Sequence, residues 1–118
     1  MSIISLKRVY EKAEKDDGKR ILVDRLWPRG LTKEKAKIDL WLKDIAPSDN
    51  LRKWFNHDKE KWEEFKKRYF TELKAKKDIV GLLKSEIKKG KATLVFSAKE
   101  ERCNNAAALR EYIESGGR

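Results

Sequence analysis

The chain has 118 residues with a formal net charge of +10, and 42% of its residues are charged against 39% that are hydrophobic. That length predicts one domain, residues 1–118, which can bury a core without disulfides or metal ions. Its one cysteine, Cys103, excludes an internal disulfide framework, and no apolar run approaches the roughly 20 residues that cross a bilayer. We therefore expect a cytoplasmic protein with no membrane partner.

The first third of the chain predicts two strands. Residues 3–9 alternate in part between apolar and polar side chains, which is typical of a strand. A polar connection follows and ends at a turn signal, residues 16–18. Residues 20–24 contain a short apolar run and predict a buried second strand.

The middle of the chain predicts four helices. The first begins at Thr32, a residue type favoured as an N-cap, and Pro47 ends it. Its apolar side chains follow at spacings of three and four: Ile38, Trp41, Leu42 and Ile45. Ser48 then caps a short helix, Asp58 caps the longest one, and Gly90 ends the fourth.

Residues 92–96 predict a third strand, and a closing helix follows and ends at residues 116–117. The order of elements predicts an α/β fold, with a small, mostly parallel sheet of about three strands packed with about five helices. The arrangement would be three-layered or Rossmann-like. The long helical insertion makes the second and third strands parallel, because it is a natural crossover. The direction of the first strand stays open, since a connection of about ten residues is long for a hairpin and short for a crossover.

A ligand site is expected where the parallel strands end, because the carboxyl edge of an open α/β sheet is where ligands bind. The predicted ligand-binding residues follow the strands or begin the last helix: Arg8, Asp24, Arg25, Trp27, Arg29, Ser97, Asn104 and Asn105. Arginine presents a fork of donors that matches carboxylate and phosphate oxygens. One carboxylate, Asp24, cannot neutralise three arginines. We therefore predict binding of a small phosphate- or carboxylate-bearing molecule, while an internal ion pair of Asp24 with Arg8 or Arg25 stays open.

Two further candidates concern chemistry. His57 is the only histidine, and beside Asp58 it is a candidate general base oriented by a carboxylate, although Asp58 as a helix cap and His57 as the residue before it is the favoured explanation. Cys103 near a helix start is a candidate thiolate or a simple buried thiol. One Cys and one His do not make a metal site without carboxylates, and Gly-rich phosphate loops are absent, so no metal and no cofactor are predicted. Whether the protein is an enzyme stays open.

The alternative function is nucleic-acid binding by the helical middle of the chain. Residues 59–91 carry twelve Lys and Arg against six Asp and Glu. A basic surface attracts polyanions, and exposed aromatic rings would stack on bases. The aromatic positions of this segment fall on helix faces predicted to be buried, so we rank this alternative below a small anion.

Several ordered motifs resemble the DUF488 family, and most closely its small YeaO-like branch. They are KRVY at 7–10, DGKRILVDRLWPRG at 17–30, WLKDIAPS at 41–48, WFNHD at 54–58, FKKRY at 65–69 and NNA at 104–106. The family name marks a domain of unknown function, so the resemblance implies a compact α/β fold and no particular reaction. Other branches carry Cys-x-Glu and Cys-His-Arg segments after the last strand. The similar positions here are Ser97, Lys99, Cys103, Asn104 and Asn105, so the resemblance implies no thiol or metal chemistry.

Overall fold

A computed structural model describes residues 4–116, and its centre is a four-stranded, all-parallel sheet. The strands are β1 (Ile4–Arg8), β2 (Lys19–Leu22), β3 (Leu40–Trp41) and β4 (Ala92–Phe96), and they lie in the order β1-β4-β2-β3. The predicted α/β class with a small parallel sheet is confirmed, with four strands in place of about three. The predictions at Ile3 and Gly117 lie outside the described residues.

Five α-helices of the described residues pack around the sheet. They are α1 (Lys33–Ala36), α2 (Asp49–Phe55), α3 (Trp62–Lys74), α4 (Lys77–Lys88) and α5 (Asn105–Glu114). Short 3-10 helices lie at Lys15–Asp17, Lys43–Ile45 and Lys59–Lys61. Two predicted caps are confirmed, because Thr32 accepts a hydrogen bond from the Lys35 amide and Ser48 accepts one from the Leu51 amide. Asp58 accepts from the Glu60 amide, but it caps the 3-10 helix Lys59–Lys61 that precedes α3 and not α3 itself, whose N-cap is Lys61. Within residues 4–116, no helix is long and apolar enough to span a membrane.

Strand β4 lies between β1 and β2. Ile4 of β1 and Lys19 of β2 both lie opposite Ala92, the first residue of β4. The predicted parallel pairing of the second and third strands is thus confirmed as that of β2 with β4. The first strand is parallel as well, and all three strands end at the same edge of the sheet.

The helix predicted from Thr32 to Pro47 is wrong beyond its first turn. Lys37 adopts a left-handed conformation (φ 49°) and ends α1. The chain then pairs with β2, because the Asp39 amide donates to the Arg20 carbonyl oxygen at 2.9 Å and the Asp39 carboxylate accepts from the Arg20 amide at 2.8 Å. Leu40 and Trp41 therefore extend the sheet as β3. Their apolar spacing fits a helix, but these backbone contacts decide the structure.

Apolar residues cover both faces of the sheet, which explains the uniform burial of β4. Ala92, Leu94 and Phe96 join the large core with side chains of α2 to α5. Val95 points to the opposite face, where it packs with Val9 of the loop after β1 and Ala36 of α1. The resulting three layers leave the carboxyl edge of the sheet for the loops that follow β1, β2 and β4.

Candidate functional site

A cleft of about 720 Å³ lies at this carboxyl edge. The structure brings nine of the ten predicted site residues to its walls: Arg8, Asp24, Arg25, Trp27, Arg29, His57, Ser97, Asn104 and Asn105. Arg8 is the last residue of β1, Asp24 follows β2, and Ser97 follows β4. The tenth residue, Asp58, is not part of the lining.

Asp24 forms the floor of the cleft and is held by uncharged donors. Its Oδ2 accepts hydrogen bonds from the Ser97 amide at 2.8 Å and from Ser97 Oγ at 2.7 Å. Its Oδ1 accepts from Asn105 Nδ2 at 3.0 Å, and that amide group also donates to the Val23 carbonyl oxygen at 3.2 Å. The carboxylate therefore joins the ends of β2 and β4 to the start of α5.

No arginine in the described part of the chain forms an ion pair with Asp24, so the internal ion pair considered from the sequence is not formed. Arg8 Nε donates to the Ala98 carbonyl oxygen at 2.9 Å, and its guanidinium lies 5.4 Å from the centre of the Tyr10 ring. Arg25 instead approaches Asp49, with Nε 3.8 Å from Oδ1. The Asp24 carboxylate therefore pairs with neither Arg8 nor Arg25.

The cleft has a large excess of positive charge. Five cationic side chains line it, against the single carboxylate of Asp24: Arg8, Arg25, Arg29, Arg52 and Lys99. Asp49 at the edge of the cleft pairs with Arg52 and approaches Arg25. The hydrogen bond from Arg52 holds the pKa of the Asp49 carboxyl below its ordinary value. Among residues 4–116, no carboxylate pairs with the side chains of Arg8, Arg29 or Lys99.

Aromatic side chains form one wall. Trp27 is half-buried, and its Nε1 donates to the Leu31 carbonyl oxygen at 2.7 Å. Its ring meets that of Trp41 edge-on at 5.5 Å, and Trp41 Nε1 donates to the Asp24 carbonyl oxygen at 2.7 Å. Tyr10 donates from its hydroxyl to the Arg29 carbonyl oxygen at 2.9 Å. These contacts fix the loop 24–31 that carries the arginines.

Asn104 lines the cleft, but its side chain already forms hydrogen bonds within the protein. It is 3% exposed, its Oδ1 accepts from the Ala107 amide at 2.8 Å, and its Nδ2 donates to the Glu100 carbonyl oxygen at 2.9 Å. Asn104 is thus the N-cap of α5. Its cap sets the direction of the helix and thereby places the Asn105 side chain on Asp24.

His57 and Asp58 are not brought together as a catalytic pair. His57 lines the cleft, with its ring 6.5 Å from that of Phe55. The Asp58 carboxylate accepts from the Glu60 amide at 3.0 Å, and no hydrogen bond between the two side chains occurs in the described chain. His57 follows Asn56 in a left-handed conformation (φ 57° and 45°), and this turn after α2 carries the imidazole to the cleft.

The part of the lining that the sequence did not indicate comes from α2 and α3. Arg52, Phe55 and Phe65 face the cleft. Glu72 of α3 accepts from the Ser48 amide at 2.8 Å and from Ser48 Oγ at 2.6 Å, which fixes the start of α2. No local motif signals this contact, because it depends on how the two helices pack.

The cleft offers little to a metal ion. Within the described ranges, no three His, Cys, Asp or Glu side chains lie close enough together to hold one. Cys103 lies half-buried in the lining, in the loop that precedes α5. The groups that remain for a ligand are the guanidinium and ammonium donors above the floor and the acceptor atoms around Asp24.

The fold and the cleft define a small parallel α/β protein with a cationic site at the carboxyl edge of its sheet. The chain belongs to the DUF488 family: residues 3–116 match the model described as "Inactive DUF488-N3 subclade". It is 42% identical over 112 residues to the "Uncharacterized protein YeaO" of Escherichia coli K12, which covers 95% of this chain and 97% of that protein. It is also 47% identical over 70 residues to the "Uncharacterized protein Rv3073c" of Mycobacterium tuberculosis H37Rv, or 59% of each chain. No solved structure matches significantly.

Proposed function

We propose that this protein is a cytoplasmic binding protein for a small molecule that carries a phosphate or carboxylate group. One observation carries the proposal: Arg8, Arg29 and Lys99 line a single cleft and have no carboxylate partner among the described residues. Cations gathered in a cleft with low-dielectric walls attract anions more strongly than the same charges on an open surface. An anionic group of a ligand would supply the missing countercharge.

The geometry suits recognition of an anion. The bond from Arg8 Nε to Ala98 leaves the two terminal nitrogens of its guanidinium available. A guanidinium held in this way loses less side-chain entropy when it binds phosphate or carboxylate in a bidentate manner. Arg29 is exposed, and its loop is fixed through the Tyr10 contact to its carbonyl oxygen. Both side chains can close on a ligand without a rearrangement of the sheet.

Binding is favoured over catalysis for two reasons. His57 is exposed and lacks the orienting contact from Asp58 that a general base would need. The family model is also described as an inactive subclade. We therefore assign the cleft a recognition role, in which Asp24 and Ser97 position a ligand.

Thermal unfolding with inorganic phosphate and with citrate tests the proposal, with sodium chloride at matched ionic strength as the reference. A ligand at one hundred times its Kd stabilises the native state by about 2.7 kcal/mol. The double variant Arg29→Gln/Lys99→Gln should lose most of the increase in Tm. The control Lys67→Gln/Lys88→Gln removes the same charge from exposed positions on α3 and α4 and should keep the increase. Equal increases in both variants, or none in the wild type, would overturn the proposal.

Nucleic-acid binding by residues 59–91 ranks second. Trp54, just before this segment, is half-buried, with the Arg68 guanidinium 4.0 Å and Lys61 Nζ 5.1 Å from its ring centre. These two cations already lie over the ring on which a base would stack. Titration of labelled single- and double-stranded oligonucleotides at low salt decides the matter, because even non-specific binding strengthens there. Tight, salt-dependent binding would favour this second function.

A further inference from the structure

The side chains at the floor of the cleft carry unused hydrogen-bond acceptors, whereas the side-chain hydrogens of Ser97 and Asn105 are all used. A carboxylate offers about four acceptor positions. Asp24 uses two on Oδ2 for Ser97 and one on Oδ1 for Asn105. One position on Oδ1 is therefore left.

The neighbours of Asp24 leave acceptors as well. Ser97 Oγ gives its only hydrogen to Asp24 and keeps acceptor capacity. Both hydrogens of Asn105 Nδ2 are used, on Asp24 and on the Val23 carbonyl oxygen. Asn105 Oδ1 accepts no hydrogen bond within residues 4–116. Three acceptor atoms therefore lie together at the floor, below the cationic side chains.

We infer that the ligand is a polyhydroxylated phosphate monoester, of the sugar-phosphate type, whose hydroxyl groups donate to Asp24, Ser97 and Asn105. This inference rests on the proposed function, because the phosphate would be held by Arg8, Arg29 and Lys99. Three unpaired cations match a dianionic phosphate better than a singly charged carboxylate. Hydroxyl donors fit better than an ammonium group, because the same cations repel a positive charge.

The arrangement also disfavours a bare anion on the floor. A phosphate placed against Asp24 would meet a like charge, and the Ser97 and Asn105 side chains have no hydrogen left to donate to it. The phosphate must therefore remain beside the cations while another part of the ligand reaches Asp24. A molecule that carries a phosphate and several hydroxyl groups can contact the cations with its phosphate and Asp24 with its hydroxyl groups. Trp27 also lines the cleft.

Isothermal titration with three matched probes tests the inference: ribose 5-phosphate, n-pentyl phosphate and free ribose. The two phosphates share a five-carbon frame, but only the first has hydroxyl groups. Hydrogen bonds to a charged acceptor support a preference of about tenfold or more for ribose 5-phosphate over pentyl phosphate. Free ribose should bind far more weakly than either phosphate.

Two variants show which residues produce the preference for ribose 5-phosphate over pentyl phosphate. Ser97→Ala removes one acceptor and keeps the backbone bond to Asp24, and Asp24→Asn converts the anionic floor into an amide. Both should reduce the ratio of the two affinities, which is measured within each variant. If Asp24→Asn does not fold, Ser97→Ala alone still tests the prediction.

The outcomes separate the two proposals. Equal affinity of the wild type for both phosphates, lost in Arg29→Gln/Lys99→Gln, would overturn the sugar-phosphate inference and leave the anion site standing. A preference that survives unchanged in Ser97→Ala and Asp24→Asn would also overturn the inference. No binding of either phosphate would overturn the inference, and the proposed function would fail with it if citrate also leaves the Tm of the wild type unchanged.

Discussion

Asp24 accepts both hydrogen bonds that Ser97 can donate, from the backbone amide at 2.8 Å and from Oγ at 2.7 Å. The contact joins the residues that follow two paired parallel strands, β2 and β4. Asn105 adds a third bond to the same carboxylate at 3.0 Å. The floor of the cleft is therefore a rigid junction of three elements, and it does not depend on the arginines around it.

Removal of this junction should destabilise the protein. Asp24→Ala leaves the Ser97 amide and one hydrogen of Asn105 without their acceptor, and we expect a loss of about 2–3 kcal/mol. Urea denaturation at neutral pH gives the value from the change in midpoint. Asp44→Ala removes an exposed carboxylate that has no side-chain partner in the described chain, and it should change stability by less than about 0.5 kcal/mol. Equal losses in the two variants would contradict a structural role for the Asp24 carboxylate.

Two arginines should behave in opposite ways. Arg20 is 3% exposed, donates from Nη1 to Asp17 at 2.7 Å, and donates from Nη2 to the Ala36 carbonyl oxygen at 2.8 Å. Arg20→Ala leaves a buried carboxylate with one partner fewer and should cost roughly 3–5 kcal/mol. The Arg25 side chain is 51% exposed, and its nearest carboxylate is 3.8 Å away. Arg25→Ala should stay within about 0.5 kcal/mol of the wild type in the same urea experiment. A large loss at Arg25 would indicate a structural role and weaken its place in the site.

Asp17 should make stability depend on pH at the acidic end. Burial alone raises the pKa of this carboxyl, but hydrogen bonds from the Glu14 amide, Lys7 and Arg20 outweigh burial and lower the pKa below its ordinary value of 3.8. A lowered folded-state pKa gives a stability contribution that is complete above about pH 5 and is lost as the pH falls through the folded-state value. The difference in unfolding free energy between the wild type and Asp17→Asn should therefore shrink below about pH 4. A difference that stays constant from neutral to acidic pH would show that the Asp17 charge contributes nothing.

Replacement of two glycines by alanine should change the stability of the protein in opposite directions. Gly18 has φ 65°, and a Cβ there would lie 2.3 Å from the Lys91 carbonyl oxygen, so Gly18→Ala should destabilise by about 2 kcal/mol or more. Gly81 lies inside α4 with open space around it, so Gly81→Ala should stabilise by about 0.5–1 kcal/mol. Thermal unfolding of both variants shows whether the signs differ. A stable Gly18→Ala variant would contradict the close approach of Gly18 to Lys91, the residue before β4.

The strand exits were predictable because chain order alone brings parallel strand ends to one edge. Asp24 and Ser97 each follow an apolar run, so their meeting needed no knowledge of packing, whereas the place of Arg8 depended on the direction of the first strand, which the sequence left open. Strand β3 was not predictable from the sequence, because the apolar spacing of Leu40 and Trp41 suits a helix equally well. These residues form a strand because Asp39 hydrogen-bonds to Arg20 of β2. The hydrogen-bond partners of Asp24 were not predictable either. The positive charge nearby suggests an arginine, whereas in the structure Ser97 and Asn105 donate to the carboxylate.

The most direct test of the cationic cleft is a titration of inorganic phosphate followed through the arginine Nε–Hε resonances in nitrogen-15 NMR spectra. We expect saturable shifts for Arg8 and Arg29 with one common Kd. Arg68, which pairs with Glu64 at 3.1 Å outside the cleft, should stay unmoved at matched ionic strength. Shifts of similar size at all three arginines, or none at Arg8 and Arg29, would contradict an anion site at the carboxyl edge of the sheet.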